Sequence, residues 1–190
     1  MANEIEQLAE IYDRCENDLV LFRQMFLPAE HEVKPAWFHR KWGEVLLNGS
    51  KHYAVEGFRE SAKTSYVLRA FPIHCLVFPS KKKQYIVFIM ANQRAASRRL
   101  KDIAEEYTSN ELMNLNLVRI KEQSEKAFEI IVKDKNGEEI TVRMEAYGKG
   151  SSVRGLNNKD RRPDIILIDD PQDLEDCLLY TSDAADERSS

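Results

Sequence analysis

Apolar residues recur at helical spacing in the first part of the chain. Over residues 4–26 they follow one another at intervals of three and four, which predicts an amphipathic helix that ends at Pro28. A second helix is predicted over residues 36–47, and the sequence Asn48-Gly49-Ser50 ends it. We expect the apolar stripe of the first helix to face a core. The stripe consists of Ile5, Leu8, Tyr12, Cys15, Leu19 and Phe22.

Three short apolar runs predict strands. Residues 53–55 and 85–90 are two of them, and residues 164–170 form a β-branched run that ends in two carboxylates. Runs this apolar are typical of strands that are buried on both faces of a parallel sheet. A helix is predicted over residues 95–107. This alternation of strands and helices predicts an α/β core with a mostly parallel sheet flanked by helices.

Two further patterns predict a hairpin and an interrupted helix. Residues 128–132 and 140–144 alternate in polarity and flank Asp134-Lys135-Asn136-Gly137, which is a favourable turn sequence. A helix is predicted to begin at Ser65, and Pro72 predicts a kink or a break in it, because proline has no N–H to donate to the preceding turn.

Composition narrows the class of protein. The chain has 190 residues, of which 43% are hydrophobic and 32% charged, as expected for one soluble globular domain. The net charge of −4 argues against a protein-wide electrostatic grip on nucleic acid, although a local basic surface stays open. Cys15, Cys75 and Cys177 are far apart, which predicts a reducing compartment and no zinc site. No signal peptide and no membrane-spanning run are evident, so we expect a cytoplasmic protein with no membrane partner.

One segment nearly matches a phosphate-binding loop. In such a loop, backbone N–H groups and the positive end of a helix face an anion. Lys63 would reach the β and γ phosphates, and the Thr64 hydroxyl would hold Mg²⁺. Ala62 stands where the usual motif has glycine. The candidate cofactor-binding residues of the loop are Gly57, Phe58, Arg59, Glu60, Ser61, Ala62, Lys63 and Thr64.

The acidic end of the third apolar run complements this loop. Carboxylates at the carboxyl end of a strand lie where open α/β sheets bind ligands. Asp169 would hold the Mg²⁺ shell, and Asp170 would orient or deprotonate an attacking water. The alternative is that the two acids end the strand and cap the next segment, with Pro171 closing the turn. The presence of Lys63-Thr64 in the same chain favours nucleotide binding.

Arginine and aromatic residues extend the candidate site. A guanidinium beside a transferring phosphoryl group stabilises the developing charge, so Arg59 and Arg154 are candidate catalytic residues. A structural salt bridge is an equally good interpretation of Arg154. Phe38 and His39 could flank an adenine ring together with Trp37, although buried packing of the helix is the favoured role for Trp37 and Trp42.

Several basic residues outside the loop are candidates for contact with a DNA backbone. The alternative, which is favoured, is a solvated loop and helix face. These residues are Lys81, Lys82, Lys83, Arg94, Arg98, Arg99 and Lys101.

These motifs, in this order, resemble the ATPase domain of the large terminase subunit of tailed bacteriophages. The matching pieces are residues 35–39, the loop 57–64, residues 86–93 with the helix behind them, Arg154-Gly155, and residues 162–170. The resemblance covers roughly residues 5–176 and is specific through the combination of motifs. Terminase large subunits are motors that pump viral DNA into an empty capsid. The resemblance therefore implies a P-loop NTPase fold of the RecA-like, additional-strand type, incomplete at its C-terminus.

The resemblance also implies roles and partners. Lys63 and Thr64 would bind phosphate and Mg²⁺, Arg59 would contact phosphate, Asp169 would be the metal acid and Asp170 the catalytic carboxylate. Many family members have glutamate at the last of these positions. Arg154 resembles an arginine finger that acts across a subunit boundary. ATP and Mg²⁺ are the implied cofactors. The implied partners are double-stranded viral DNA, the portal protein, the small terminase subunit and other copies of the chain in a ring, at the procapsid portal in the host cytoplasm.

The sequence divides into three expected regions. Residues 1–50 form a helical lead-in with the adenine-side motif, and residues 51–176 form the truncated ATPase core. Residues 177–190 resemble the translation of a sequencing adapter, with an ordinary polar helix as the alternative. The coupling motif and nuclease domain of the family would lie beyond this point, so we expect exposed sheet edges here. Two other functions stay open: another P-loop DNA motor such as a helicase-like ATPase, and a non-catalytic nucleotide-binding assembly module.

Overall fold

The first predicted helix forms as two shorter helices. The computed structural model describes residues 2–28, 34–49, 52–151 and 161–169, and it begins with α1 (Ala2–Asn17) and α2 (Leu19–Phe26). Asp18 separates them, because its carboxylate accepts hydrogen bonds from the N–H groups of Val20 (2.9 Å) and Leu21 (3.0 Å). An aspartate in this position is a strong helix N-cap. The chain therefore starts a new helix where the apolar spacing alone predicts continuation.

The second and third helical regions follow the predicted positions. Helix α3 spans Trp37–Asn48. Helical residues then run without a gap from Lys63 to Val77, as α4 (Lys63–Ser65), a π-helical segment (Tyr66–Ala70) and α5 (Phe71–Val77). At the end of the π-helical segment, the Phe71 N–H donates to the Tyr66 carbonyl, five residues back. The kink or break expected at Pro72 takes the form of this change in hydrogen bonding, because proline cannot donate the next α-helical bond.

Five strands form one mixed sheet in the order β2-β3-β4-β1-β5. The strands are β1 (Tyr85–Met90), β2 (Leu117–Gln123), β3 (Ala127–Lys133), β4 (Glu139–Gly148) and β5 (Ile165–Asp169), and α6 (Gln93–Ser109) follows β1. Strand β1 pairs in parallel with β4 and β5, whereas β3 pairs antiparallel with β2 and β4. The fold is α/β with helices against the sheet. The sheet is mixed instead of mostly parallel because β2 and the predicted hairpin supply the antiparallel pairs.

Two expectations about strands are wrong. Residues 53–55 form no strand, since residues 52–58 have no regular secondary structure. The acidic strand β5 is not buried on both faces, because the side chains of Ile166 and Ile168 are 52% and 58% exposed. The reason is the position of β5 at the edge of the described sheet, where β1 is its one recorded neighbour. Leu167, which points to the opposite face, is 7% exposed and belongs to the core.

The core lies between the helices and one face of the sheet. Alternate strand residues supply it, among them Ile86 and Phe88 of β1 and Val142 and Met144 of β4. The stripe predicted for the first helix contributes Cys15, Leu19 and Phe22 to the same core. This confirms that the part of the stripe from Tyr12 to Phe22 faces inward.

The opposite face of the sheet carries a closed network of charged and hydroxyl groups around Arg143. Its guanidinium donates to Glu122 (2.7 Å), Glu129 (2.8 Å) and Glu145 (2.6 Å). The hydroxyl of Tyr85 donates to Glu145 at 2.5 Å. Burial by itself raises the pKa of Glu145, but hydrogen bonds from tyrosines and Arg143 outweigh burial and leave that pKa below its usual value.

Candidate phosphate-binding site

The loop ahead of α4 adopts an unusual backbone conformation. Glu60 and Ala62 have positive φ angles of 68° and 59°. With ψ at 18°, Ala62 lies in the left-handed region, which glycine occupies without the steric cost that a Cβ atom brings. Ala62 therefore has the conformation for which the usual phosphate-loop motif supplies a glycine. This supports the alignment of the segment with that motif despite the replaced residue.

The same backbone leaves amide groups available. A left-handed residue followed by a right-handed one makes a concave nest of N–H groups, and Ala62 is followed directly by the helical Lys63. The first bond of the helical region runs from the Tyr66 N–H to the Ala62 carbonyl (3.0 Å). In the described part of the chain, the N–H groups of Lys63, Thr64 and Ser65 have no recorded acceptor. A phosphate group would satisfy such donors.

Tight packing holds the loop in place. Ser61 is 4% exposed, and its N–H donates to the Phe58 carbonyl (3.1 Å). A Cβ atom on Gly57 would lie 2.5 Å from the Ser61 hydroxyl oxygen and 3.3 Å from the Trp42 ring. A side chain at Gly57 would therefore displace the Ser61 hydroxyl, so this close approach, and not the backbone angles of Gly57, favours glycine here.

An aromatic groove of about 470 Å³ adjoins the loop. Phe38 lies in it, with its ring centroid 5.9 Å from that of Phe58. Trp37 is 78% exposed, so the expectation that it is a buried packing residue is wrong. Trp42 is half-buried and packs against the core, as expected. The groove is lined by Trp37, Phe38, Lys41, Trp42, Glu56, Gly57, Phe58 and Ser61.

His39, which the sequence places beside Phe38, does not line the groove. Its Nδ1 atom accepts the Ala36 N–H (2.9 Å), and its Nε2 atom lies 2.9 Å from the Ser61 carbonyl oxygen. The His39 ring also stacks on the Tyr66 ring, with centroids 4.6 Å apart. Both nitrogens are therefore bound to protein groups.

Asp169 is the last residue of β5, at the edge of the sheet where parallel strands end together. It pairs with Met90, the last residue of β1, and α6 begins three residues later at Gln93. The π-helical segment contacts β5, which brings the helix behind the loop to this strand. No group of three or more histidine, cysteine, aspartate and glutamate side chains converges among the described residues. Asp170 and Arg154 lie outside them.

Three of the basic residues that are candidates for DNA contact bind groups within the protein instead. Lys83 is structural, since its ammonium group donates to the Leu47 carbonyl (2.6 Å) and lies 5.4 Å from the Phe71 ring centroid. Lys81 and Lys101 pair with glutamates. Arg59, inside the loop, is exposed.

One residue near the loop was missed by sequence reasoning. Arg23 of α2 is 9% exposed, and its Nε donates to the Ser65 hydroxyl (3.0 Å) while its guanidinium lies 5.1 Å from the Tyr66 ring centroid. Its spacing of four from Leu19 put it on the apolar stripe, where a charged residue indicates a specific partner.

Comparison with known proteins identifies no family for the chain. No protein-family model matches the chain, and no curated protein matches it. Within the described residues, no helix has the length and apolar character that crossing a lipid bilayer requires. The assignment of a function therefore rests on the residues and on their arrangement.

Proposed function

We propose that the chain is the ATP-hydrolysing part of a terminase-like motor, with the P-loop NTPase type of α/β fold. The observation that carries the proposal is the left-handed Ala62 directly ahead of Lys63-Thr64, where three backbone amides have no recorded acceptor among the described residues. An anion with several oxygens, such as a triphosphate, suits that concave set of donors.

The residues present fit Mg·ATP by their chemistry. Thr64 and Asp169 offer a hydroxyl and a carboxylate, the oxygen ligands that Mg²⁺ takes in nucleotide sites. When bound, Mg²⁺ neutralises charge that develops on the phosphates. The Lys63 ammonium group would bind the terminal phosphates, and the exposed Arg59 guanidinium would stabilise charge on the transferring group. The aromatic groove would hold the base, because Phe38 and Trp37 offer ring surface beside the loop.

The remaining roles are proposed from the resemblance. Asp170 would orient the attacking water, and Arg154 would act as an arginine finger. The motor would drive packaging of double-stranded viral DNA into a procapsid, as a ring of subunits on the portal in the host cytoplasm, together with the small terminase subunit. DNA-stimulated ATP hydrolysis by the chain would support this part of the proposal.

The proposal is tested by thermal melting with and without Mg·ATP. A ligand that binds only the folded state at a hundred times its Kd stabilises by about 2.7 kcal/mol. For a chain of this size we expect a rise in Tm of about 5–10 °C. Lys63→Ala should lose most of this shift, because its ammonium group would contact the phosphates of the bound nucleotide.

A matched variant controls for charge. Lys82→Ala removes an exposed lysine far from the loop in sequence and should keep the full shift. Folded wild-type protein whose melting does not respond to Mg·ATP would refute the proposed function.

A further inference from the structure

The hydrogen bonds of His39 define its tautomer. The Ala36 N–H can only donate, so the His39 Nδ1 atom that receives it at 2.9 Å carries no proton. The Ser61 carbonyl can only accept, so Nε2, 2.9 Å away, carries the proton and donates it. The arrangement therefore requires neutral His39 with its proton on Nε2.

The ring has little freedom to turn. One face stacks on Tyr66, with an interplanar angle of 16° and centroids 4.6 Å apart. Phe38 and Trp42 lie 4.3 Å and 5.4 Å from its centroid. His39 consequently connects α3 to the helical region after the loop, and its two nitrogens have fixed directions.

The bond to Ser61 acts on the most unusual part of the loop. The peptide that joins Ser61 to Ala62 is planar and trans, so its carbonyl and N–H groups point in opposite directions. A donor that holds the Ser61 carbonyl on the His39 side holds the Ala62 N–H on the other side, away from His39. The same bond restrains the residue that enters the left-handed conformation at Ala62.

We propose that His39 is a positioning residue for phosphate binding: its Nε2–H group holds the Ser61 carbonyl and so orients the Ser61–Ala62 peptide. This inference rests on the proposed function. His39 therefore acts through Ser61 and does not contact the base.

Two variants separate the donor from the ring. His39→Gln places an amide N–H near the Nε2 position and cannot titrate, whereas His39→Phe keeps an aromatic ring and has no donor. Calorimetric titration with Mg·ADP at pH 7.5 should give about fivefold weaker binding for His39→Phe, as expected for one lost hydrogen bond. His39→Gln should stay within about twofold of wild type. Far-UV circular dichroism verifies that both variants are folded.

Nitrogen-detected histidine NMR of the chain without nucleotide tests the tautomer directly. The His39 signals, identified by their loss in His39→Gln, should show a protonated Nε2 and an unprotonated Nδ1. The opposite tautomer would overturn the inference, as would equal Mg·ADP affinity of wild type and His39→Phe. A wild type that binds no nucleotide would refute the proposed function as well, which distinguishes that failure from a failure of His39 alone.

Discussion

Two polar regions of the molecule differ in whether their groups find partners within the protein. Around Arg143, guanidinium, carboxylates and hydroxyls all bond to one another on one face of the sheet. At the loop, the amides of Lys63, Thr64 and Ser65 have no recorded acceptor in the described residues. A network that satisfies itself stabilises the fold, whereas donors that are aimed together and left open indicate a ligand. Charge alone does not distinguish a structural region from a binding region.

The largest expected effect breaks the closed network. Arg143→Met removes the shared donor of three glutamates, of which Glu129 and Glu145 are 5% and 8% exposed. Breaking a buried pair in this way costs about 3–5 kcal/mol. We expect that loss in urea unfolding, with Mg·ATP affinity of the remaining folded protein unchanged. Lys135→Met, at an exposed pair with Glu16, should change stability by less than about 1 kcal/mol. Equal losses in the two variants would contradict the distinction.

A second prediction tests the open region without touching the fold. Trp37 is 78% exposed, so Trp37→Ala should leave stability nearly unchanged. If the groove holds the base, Mg·ATP affinity should fall about tenfold, since stacking of a base on an aromatic ring is worth about 1–3 kcal/mol. Inorganic tripolyphosphate, which has no base, should bind both proteins equally, and Trp37→Phe should retain most of the affinity. Loss of tripolyphosphate affinity would show that Trp37 supports the loop and not the base.

Acidification should weaken the network around Arg143, because it protonates the glutamates that Arg143 binds. The pKa values of Glu129 and Glu145 lie below their usual value of 4.5, because hydrogen bonds from cations and hydroxyls outweigh burial. Their contribution is therefore complete above about pH 4.5 and is lost as the pH falls through their lower native values. Urea midpoints of wild type and Glu145→Gln should converge below pH 4.5. A constant gap from pH 7 to 3.5 would argue that Glu145 is not held as a carboxylate.

The smallest expected effect is that of Ala62→Gly at the strained loop residue. Ala62→Gly relieves a steric cost of about 1 kcal/mol at φ 59° but gains entropy in the unfolded chain, so the net change in stability should be below about 1 kcal/mol. Ala62→Val should lose about 2 kcal/mol, because a β-branched residue strongly disfavours this conformation. Urea unfolding measures both. Equal stability of the Ala62→Val and Ala62→Gly variants would show that residue 62 is not in the left-handed conformation.

Local chemistry made much of the fold predictable. The Asp134–Gly137 turn joins β3 and β4 as expected, and helices α3 and α6 occupy the predicted stretches. Strand β2 was missed because its side chains are mostly exposed and polar, so it has no apolar run. Asp18 was overlooked as an N-cap within an apolar period. In each case a competing local interaction or the absence of burial defeats the pattern.

The sequence proposes residues for the candidate site but not their contacts. The motif gives Gly57 to Thr64 and the acidic run gives Asp169 as candidates, whereas the partners of His39 and Arg23 lie 22 and 42 residues away in the chain. Spacing along a chain reports which residues share a face of one element. It carries no information on which other element meets that face.

By itself, then, the sequence determined several helices, the strands β1 and β5 and the turn between β3 and β4, because caps, turn residues and apolar periods act over a few residues. It also marked residues 57–64 as a candidate phosphate-binding segment. Only the tertiary structure decided the order of the strands, the exposure of one face of β5, and the bond from His39 to the Ser61 carbonyl. Those depend on which surfaces pack together, and packing joins residues that are distant in the chain.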